Sequence, residues 1–183
     1  MAVHYSDVTI INNALTKVGE APITSIDEQS SVAKKVKIIF EQKRDNLLRK
    51  HPWGFAKERV MLALSSDTPA FGYSKKFILP EDNLRILKID CVRDFNKEGN
   101  YILTDASQVG LLYIKRVTDA NIYDASFVEL LSLDLASDLA FSLKGSRTLR
   151  EDLKNEFERE LRLARGYSAT EGSPGSILDY GVS

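Results

Sequence analysis

Residues 124–146 read DASFVELLSLDLASDLAFSLKGS, and this stretch decides the fold. Phe127, Leu131, Leu135, Leu139 and Leu143 follow one another at i, i+4, the spacing that stacks side chains on one face of an α-helix. Val128, Leu133, Ala136 and Ala140 widen that face beyond a surface stripe, so the helix is expected at the centre of a core. Asp124 is placed to cap its start, Gly145 to end it, and Ser146 to cap the helix that follows. In that next helix the stripe is narrow: Leu149, Leu153, Phe157 and Leu161. Its other faces carry spaced charges, Glu156 with Arg159 and Glu158 with Arg162, which support an exposed helix modestly.

The N-terminal end mirrors this pair. Ser6 can cap a helix whose apolar positions are Val8, Ile11, Leu15 and Val18, and Gly19 stops it. A second helix is expected from about Ser31 to Lys50, with Val32, Val36, Ile39, Phe40 and Leu47 on its apolar side. His51-Pro52 ends it, because a residue before proline avoids the helical region. Trp53, Gly54 and Phe55 then form a short aromatic turn.

Between the two helical pairs the period changes to two. Val60, Leu62 and Leu64 alternate with Met61 and Ala63 as in a half-buried strand. Tyr73 to Leu79, the run placing Leu87, Ile89 and Cys91 on one face, Tyr101 to Leu103, and Leu111 to Arg116 complete about five strands. Asp94 to Asn100 and Asp105 to Gly110 read as polar loops. Connections this short hold no crossover helix, so the strands should pair antiparallel.

The expected fold is therefore α+β: a four-helix bundle formed by N- and C-terminal helical hairpins, with an inserted antiparallel β-subdomain and a flexible C-terminal tail. The boundaries are residues 1–55 and 119–167 for the two halves of the bundle, 56–118 for the β-subdomain and 168–183 for the Gly-, Ser- and Pro-containing tail.

Composition narrows the function. The 183 residues carry 25 Lys and Arg against 26 Asp and Glu, a net charge of −1 that supplies no global field for DNA or anionic lipid. Apolar runs are only a few residues long, so no membrane span is expected. No basic-then-apolar leader opens the chain, so export by a standard signal peptide is not expected. The single cysteine, Cys91, forms no internal disulfide and builds no Cys-based zinc site. It reads as a small buried hydrophobe in a protein that folds in a reducing cytoplasm.

Catalytic signatures are few. There is no phosphate-cradling Gly-Lys-Ser/Thr loop and no Gly-rich strand-to-helix turn. His4 and His51 lie far apart in sequence and read as surface or helix-end residues. Carboxylates crowd one helix (Glu151, Asp152, Glu156, Glu158, Glu160), where a solvated face explains them. Catalytic residues, cofactor and metal are all expected to be none.

Charge is nonetheless divided. Residues 31–60 hold nine basic side chains against three acidic ones, whereas residues 119–160 hold ten acidic against five basic. Internal pairing or simple solvation is one explanation. The other is a basic face formed by Lys34, Lys37, Lys43 and Arg44, meeting either nucleic acid or the acidic face of an identical neighbour in a head-to-tail contact.

The ordered pieces resemble a known family, the tail tubular protein A adaptors that join head to tail in short-tailed bacteriophages. The resemblance rests on Asn13-Ala14-Leu15 through Gly19-Glu20-Ala21-Pro22-Ile23-Thr24-Ser25, and on His51-Pro52-Trp53-Gly54-Phe55-Ala56. It continues through Leu79-Pro80-Glu81-Asp82, Ile102-Leu103-Thr104-Asp105 and Tyr113-Ile114-Lys115-Arg116-Val117-Thr118-Asp119. It ends in Phe127 to Leu139 and Leu143-Lys144-Gly145-Ser146-Arg147. These pieces span most of residues 5–165 in order.

What the resemblance implies is a structural virion protein, not an enzyme. It would be assembled in the host bacterial cytoplasm and sit in the tail at the head-to-tail junction. Such adaptors form a twelve-subunit ring under the portal protein and receive the tail nozzle protein (of tail tubular protein B type) at the other end. Tail fibres dock nearby, and genomic DNA passes through the channel without specific binding. On this reading Tyr167, Ile177, Leu178 and Tyr180 belong to a portal-binding arm. Asn96, Lys97, Glu98, Asn100, Ser107 and Gln108 belong to loops facing the nozzle or fibres, and no membrane is involved. The rival reading is a virion-associated hydrolase of cell-wall or capsule glycans, which would need an acid and a second carboxylate about 5 to 9.5 Å apart.

Overall fold

Four polar side chains start the four helices. Ser6 Oγ accepts from the Thr9 N–H at 3.1 Å and opens α1 (Asp7–Lys17). Ser30 Oγ accepts from Ala33 N–H at 3.1 Å at the head of α2 (Ser31–Lys50). Asp124 accepts from Phe127 N–H at 2.7 Å to begin α3 (Ala125–Lys144), and Ser146 Oγ does the same for Leu149 at 3.2 Å in α4 (Arg147–Glu171). Each cap satisfies an N–H that has no partner within its helix. Gly145, at φ 63°, closes α3: its own N–H reaches Phe141 O and the Ser146 N–H reaches Ala140 O, a left-handed stop that glycine adopts without strain. Asp124→Ala is expected to lower stability by about 1 kcal/mol in chemical denaturation.

The structure, a computed structural model, describes residues 4–171. Over that range the chain is α+β, with four α-helices and two antiparallel sheets. It divides into two compact units. One holds the residues up to Leu47 and from Thr118 onward, and the other is the continuous segment Leu48–Val117. The helix α4 runs through Glu171 and so takes in the first four residues of the expected tail, which was to start at 168. Ser168 to Glu171 contain neither glycine nor proline, and after Gly166, which α4 accommodates, the next glycine is Gly172. The expected tail anchors Ile177, Leu178 and Tyr180 lie outside the described residues, as does the tail from 172 on.

In the first unit α3 is the core element, with both α1 and α4 packed on it. Phe127, Leu131, Leu135 and Leu139 are all inaccessible to solvent, as are Leu130 and Leu133 to either side. Leu143 is only half-buried, so the ladder leaves the core at its last rung. The buried Ser132 hydroxyl has Val128 O at 2.8 Å and Ile10 O at 3.2 Å as acceptors, so it enters the core with its hydrogen-bonding capacity met. On α4 the buried stripe is Leu153, Phe157, Leu161 and Ala164.

The second unit contains seven strands where about five were expected. They are β1 (Lys57–Met61), β2 (Ala63–Leu64), β3 (Lys75–Ile78), β4 (Asn83–Asp90), β5 (Phe95–Glu98), β6 (Tyr101–Thr104) and β7 (Gly110–Lys115). They form two sheets, β1-β7-β4 and β2-β3-β6-β5. The expected strand through residues 60–64 is split at Leu62, which leaves the ladder and buries its side chain, so that β1 pairs with β7 and β2 with β3. Leu64, expected to face inward with Val60, is instead 58% exposed. The unit's core lies between inward side chains of both sheets: Phe77 and Ile102 from one, Leu111 and Tyr113 from the other, with Leu62, Leu79 and Val109 from the connections.

Two further expectations change here. Residues 95–98, read as part of a polar turn, form β5, an edge strand exposed along its whole length. Its hairpin with β6 turns at Gly99, φ 56°. The other change is in β4, whose register shifts between Ile86 and Lys88. This bulge leaves Leu87 unpaired and returns Ile86 and Ile89, not Leu87 and Ile89, to the core side. Cys91 follows the strand rather than belonging to it, half-buried with its sulfur 3.5 Å from the Thr104 hydroxyl.

Candidate functional site

The loop residues singled out from the sequence fall into two places. Asn96, Lys97, Glu98 and Asn100 are all exposed on the β5–β6 hairpin. The hairpin is internally braced: Asn96 Nδ2 donates to Glu98 Oε1 at 3.1 Å and Lys97 Nζ to Gly99 O at 2.9 Å. Asn100 is anchored to the end of β3, donating from its side chain to Leu79 O at 3.1 Å and accepting from Leu79 N–H at 3.0 Å. Ser107 and Gln108 are exposed in the β6–β7 connection, which Ala106 and Val109 pin to the core on either side.

The structure joins Asn96 and Glu98, but not Ser107 or Gln108, to a cleft of about 600 Å³. Its floor is the outer face of β3 and β6, where Lys76 and Tyr101 stand. The Lys76 ammonium sits 3.9 Å from the Tyr101 ring centre, an attraction between a cation and the negative face of the ring. The opposite wall is residues 68–73, including Phe71, which is 89% exposed, and Tyr73. Asp105 holds the end of this loop: its carboxylate accepts from the Ser74 N–H and hydroxyl, both at 2.8 Å. Those two hydrogen bonds, the backbone one first, lower the Asp105 pKa. Sequence reading passed over Phe71, Tyr73, Lys76 and Tyr101. The alternation of β3 and β6 carried the signal, but which face turned outward depended on the sheet that packs behind them.

The basic residues of α2 separate in a way the sequence did not disclose. Lys34 is exposed and Lys37, also exposed, pairs with Asp27. Lys43 is largely buried between Asp134 at 2.9 Å and Asp138 at 2.8 Å, both on α3. Burial alone would lower the Lys43 pKa, but the hydrogen bonds and charges of the two carboxylates outweigh it and the net shift is upward. Arg44 is buried with its Nε 3.0 Å from Asp45. Lys17 with Glu129, and Lys144 with Glu20, join further charges inside the same unit. Lys43 and Arg44 therefore do not lie on a basic surface, and much of the charge division along the sequence is answered by internal pairing.

One carboxyl in this unit is held unusually. Asp7 Oδ1 is buried without a hydrogen-bond partner. Burial raises the Asp7 pKa; Arg44 opposes the shift and Glu41 adds to it. The folded state thus holds the proton more tightly than the unfolded chain. The resulting stabilisation is complete below the ordinary aspartate pKa and is lost as pH rises through the raised value. Asp7→Asn is expected to melt at a higher temperature than the parent at pH 7, with the gap closing toward pH 3 when the two melting curves are compared.

The remaining candidates are structural in their surroundings. His4 lies 3.3 Å from Asn121 through its Nδ1. His51 is buried edge-on to Trp53, with ring centres 4.8 Å apart, and Trp53 stacks on Phe55 at 6.2 Å. On α4, Arg159 reaches both Glu156 and Glu160, at 3.7 and 3.4 Å. Tyr167, near the helix end, is 61% exposed. Among the described residues no group of three or more His, Cys, Asp or Glu side chains is placed to hold a metal ion, and no helix is long and apolar enough to cross a membrane. Compared with known proteins, the chain matches no family model and no curated protein.

Proposed function

We propose that this chain is a structural adaptor of the head-to-tail type, assembling as a ring between a phage portal and a tail nozzle. In this reading the four helices form a bundle that makes the ring, and the β-unit is a subdomain inserted between its halves. The β5–β6 hairpin and the 68–73 loop are the faces offered to the nozzle or fibres, and the end of α4 from Tyr167, with the chain that follows it, is the arm toward the portal.

The supporting observation is apolar surface in both units. Ile38 on α2 is 78% exposed, and Phe71 and Val92 in the β-unit are 89% and 90% exposed. Large apolar side chains left in water cost free energy that burial in an assembly recovers, and this is what supports a contact role for these positions.

Sedimentation of the purified chain with portal rings from the same virus tests the reading. Co-sedimentation at a fixed ring-like stoichiometry is the expected result. Loss of that co-sedimentation on deleting residues 172–183 assigns the arm to the portal. A chain that ignores the portal under all conditions overturns the adaptor.

A further inference from the structure

Three cross-strand rows define the outer face of the β1-β7-β4 sheet. Lys57, Ile114 and Arg85 share one row, Arg59, Leu112 and Lys88 the next, and Met61, Gly110 and Asp90 the last. Directly paired residues of an antiparallel sheet point to the same side. Tyr113 and Leu111, on the alternate positions of β7, face the core, so these rows lie on the other side of the sheet. Ile114 at the centre of the first row is itself buried, so the open part of this face is the Arg59–Leu112–Lys88 and Met61–Gly110–Asp90 rows, with Lys57 and Arg85 exposed at its edge. Lys57, Arg59, Arg85 and Lys88 are all exposed, and Asp90 is the only carboxylate among the three rows.

The bulge in β4 creates this arrangement. Arg85 and Lys88 are three positions apart, and without a bulge they would point to opposite sides of the sheet. The register shift between Ile86 and Lys88 returns Lys88 to the side of Arg85. The four cations then stand at the corners of a rectangle, roughly 7 Å along the strands and roughly 10 Å across β7. Arg85 is oriented by a 3.0 Å hydrogen bond from its Nη1 to Arg49 O. Beside the Arg59–Lys88 row the surface dips into a depression of about 320 Å³ over Gly110, bordered by Met61, Leu112 and Asp90. Gly110 is what opens it: a Cβ there would stand 3.2 Å from the Cβ of Asp90 and 3.7 Å from the Met61 sulfur.

We infer that this sheet face binds a single strand of nucleic acid, with Lys57, Arg59, Arg85 and Lys88 on successive phosphates and Met61 and Leu112 against the sugars and bases between them. Four exposed cations around the half-buried Leu112 and the exposed Met61 suit a backbone whose charges repeat and whose bases carry apolar faces. A second copy of this chain is a poorer match. The exposed carboxylates of α4 are interleaved with Lys154, Arg159, Arg162 and Arg165, and Asp134, Asp138 and Glu129 of α3 are already paired internally. The site does not depend on the adaptor reading, and the portal experiment neither supports nor harms it.

Fluorescence anisotropy of a short labelled oligothymidylate with the full chain tests it. Binding at low salt should weaken about 50-fold between about 50 and 200 mM salt, corresponding to four phosphate contacts and a log–log slope of about −3. Arg59→Gln with Lys88→Gln should reduce the slope to about −1.5, and Arg59→Glu with Lys88→Glu should abolish binding, both with unchanged melting temperature. Lys34→Glu, on α2, should leave binding unaltered. Absence of binding at low salt overturns the proposal, as does binding that survives the Arg59 and Lys88 charge reversals. Tighter binding of the matching duplex, or equal competition by oligoglutamate at the same ionic strength, overturns the assignment to a single nucleic-acid strand.

Discussion

Phe127→Ala is expected to destabilise the protein by about 4 kcal/mol, measured as the shift in the urea midpoint at constant slope. Phe127 is inaccessible to solvent, lies on the first turns of α3 and packs against Tyr123 with ring centres 4.7 Å apart. The substitution removes the transfer free energy of a benzyl group and leaves a cavity that helix backbones on either side cannot close. Phe127→Leu keeps most of the volume and should cost well under half as much. Equal losses from the two variants would mean that the site collapses around the smaller side chain and that α3 is not the rigid centre of its unit.

Lys43→Met is expected to cost about 3 kcal/mol, although methionine is close to the lysine stem in size. The loss comes from what remains: Asp134 and Asp138, one turn apart on α3, would face each other half-buried without their common cation. Arg150, 4.0 Å from Asp138, reaches only one of them and loosely. Combining Lys43→Met with Asp134→Leu and Asp138→Leu should recover most of the loss, because an apolar trio has no charge to desolvate. A double-mutant cycle between residues 43 and 134 should show coupling of at least about 1 kcal/mol. No coupling would reduce this cluster to surface charge. The raised Lys43 pKa adds a direction: the pair's stabilisation is complete below the ordinary lysine pKa and is lost only as pH rises through the higher folded value. The parent and Lys43→Met should therefore converge in strongly alkaline solution.

These two residues also mark how far sequence reading reaches. The place of Phe127 in a central helix followed from an i, i+4 ladder wider than a surface stripe, and the structure puts it there. The role of Lys43 did not follow. It stood in a run of basic residues and read as part of a charged face, because a sequence shows the sign of a charge but not which helix lies opposite it. The β-unit repeats the distinction. Its antiparallel pairing was legible from short connections, whereas β5 was hidden because all four of its residues are exposed and three of them, Asn96, Lys97 and Glu98, are polar, leaving no apolar alternation to read. The cleft beside Tyr101 and the cation rows around Leu112 were equally hidden. Each depends on strands that are distant in the chain and become neighbours only through the ladder.

The sequence by itself determined the four helices, the caps at Ser6, Asp124 and Ser146, the stop at Gly145, the class α+β and the antiparallel sense of the strands. Those properties are set within a turn or two of chain, by the reach of a Ser6 or Asp124 oxygen and by the freedom of Gly145 to take a positive φ. Only the tertiary structure decided that residues 57–64 serve two sheets, that a bulge turns Lys88 to the side of Arg85, and that Lys43 is shared by two aspartates. The physical reason is that register, facing and ion pairing are chosen by non-local partners. A shift of one residue in any of them costs no local propensity but exchanges what is buried for what is exposed.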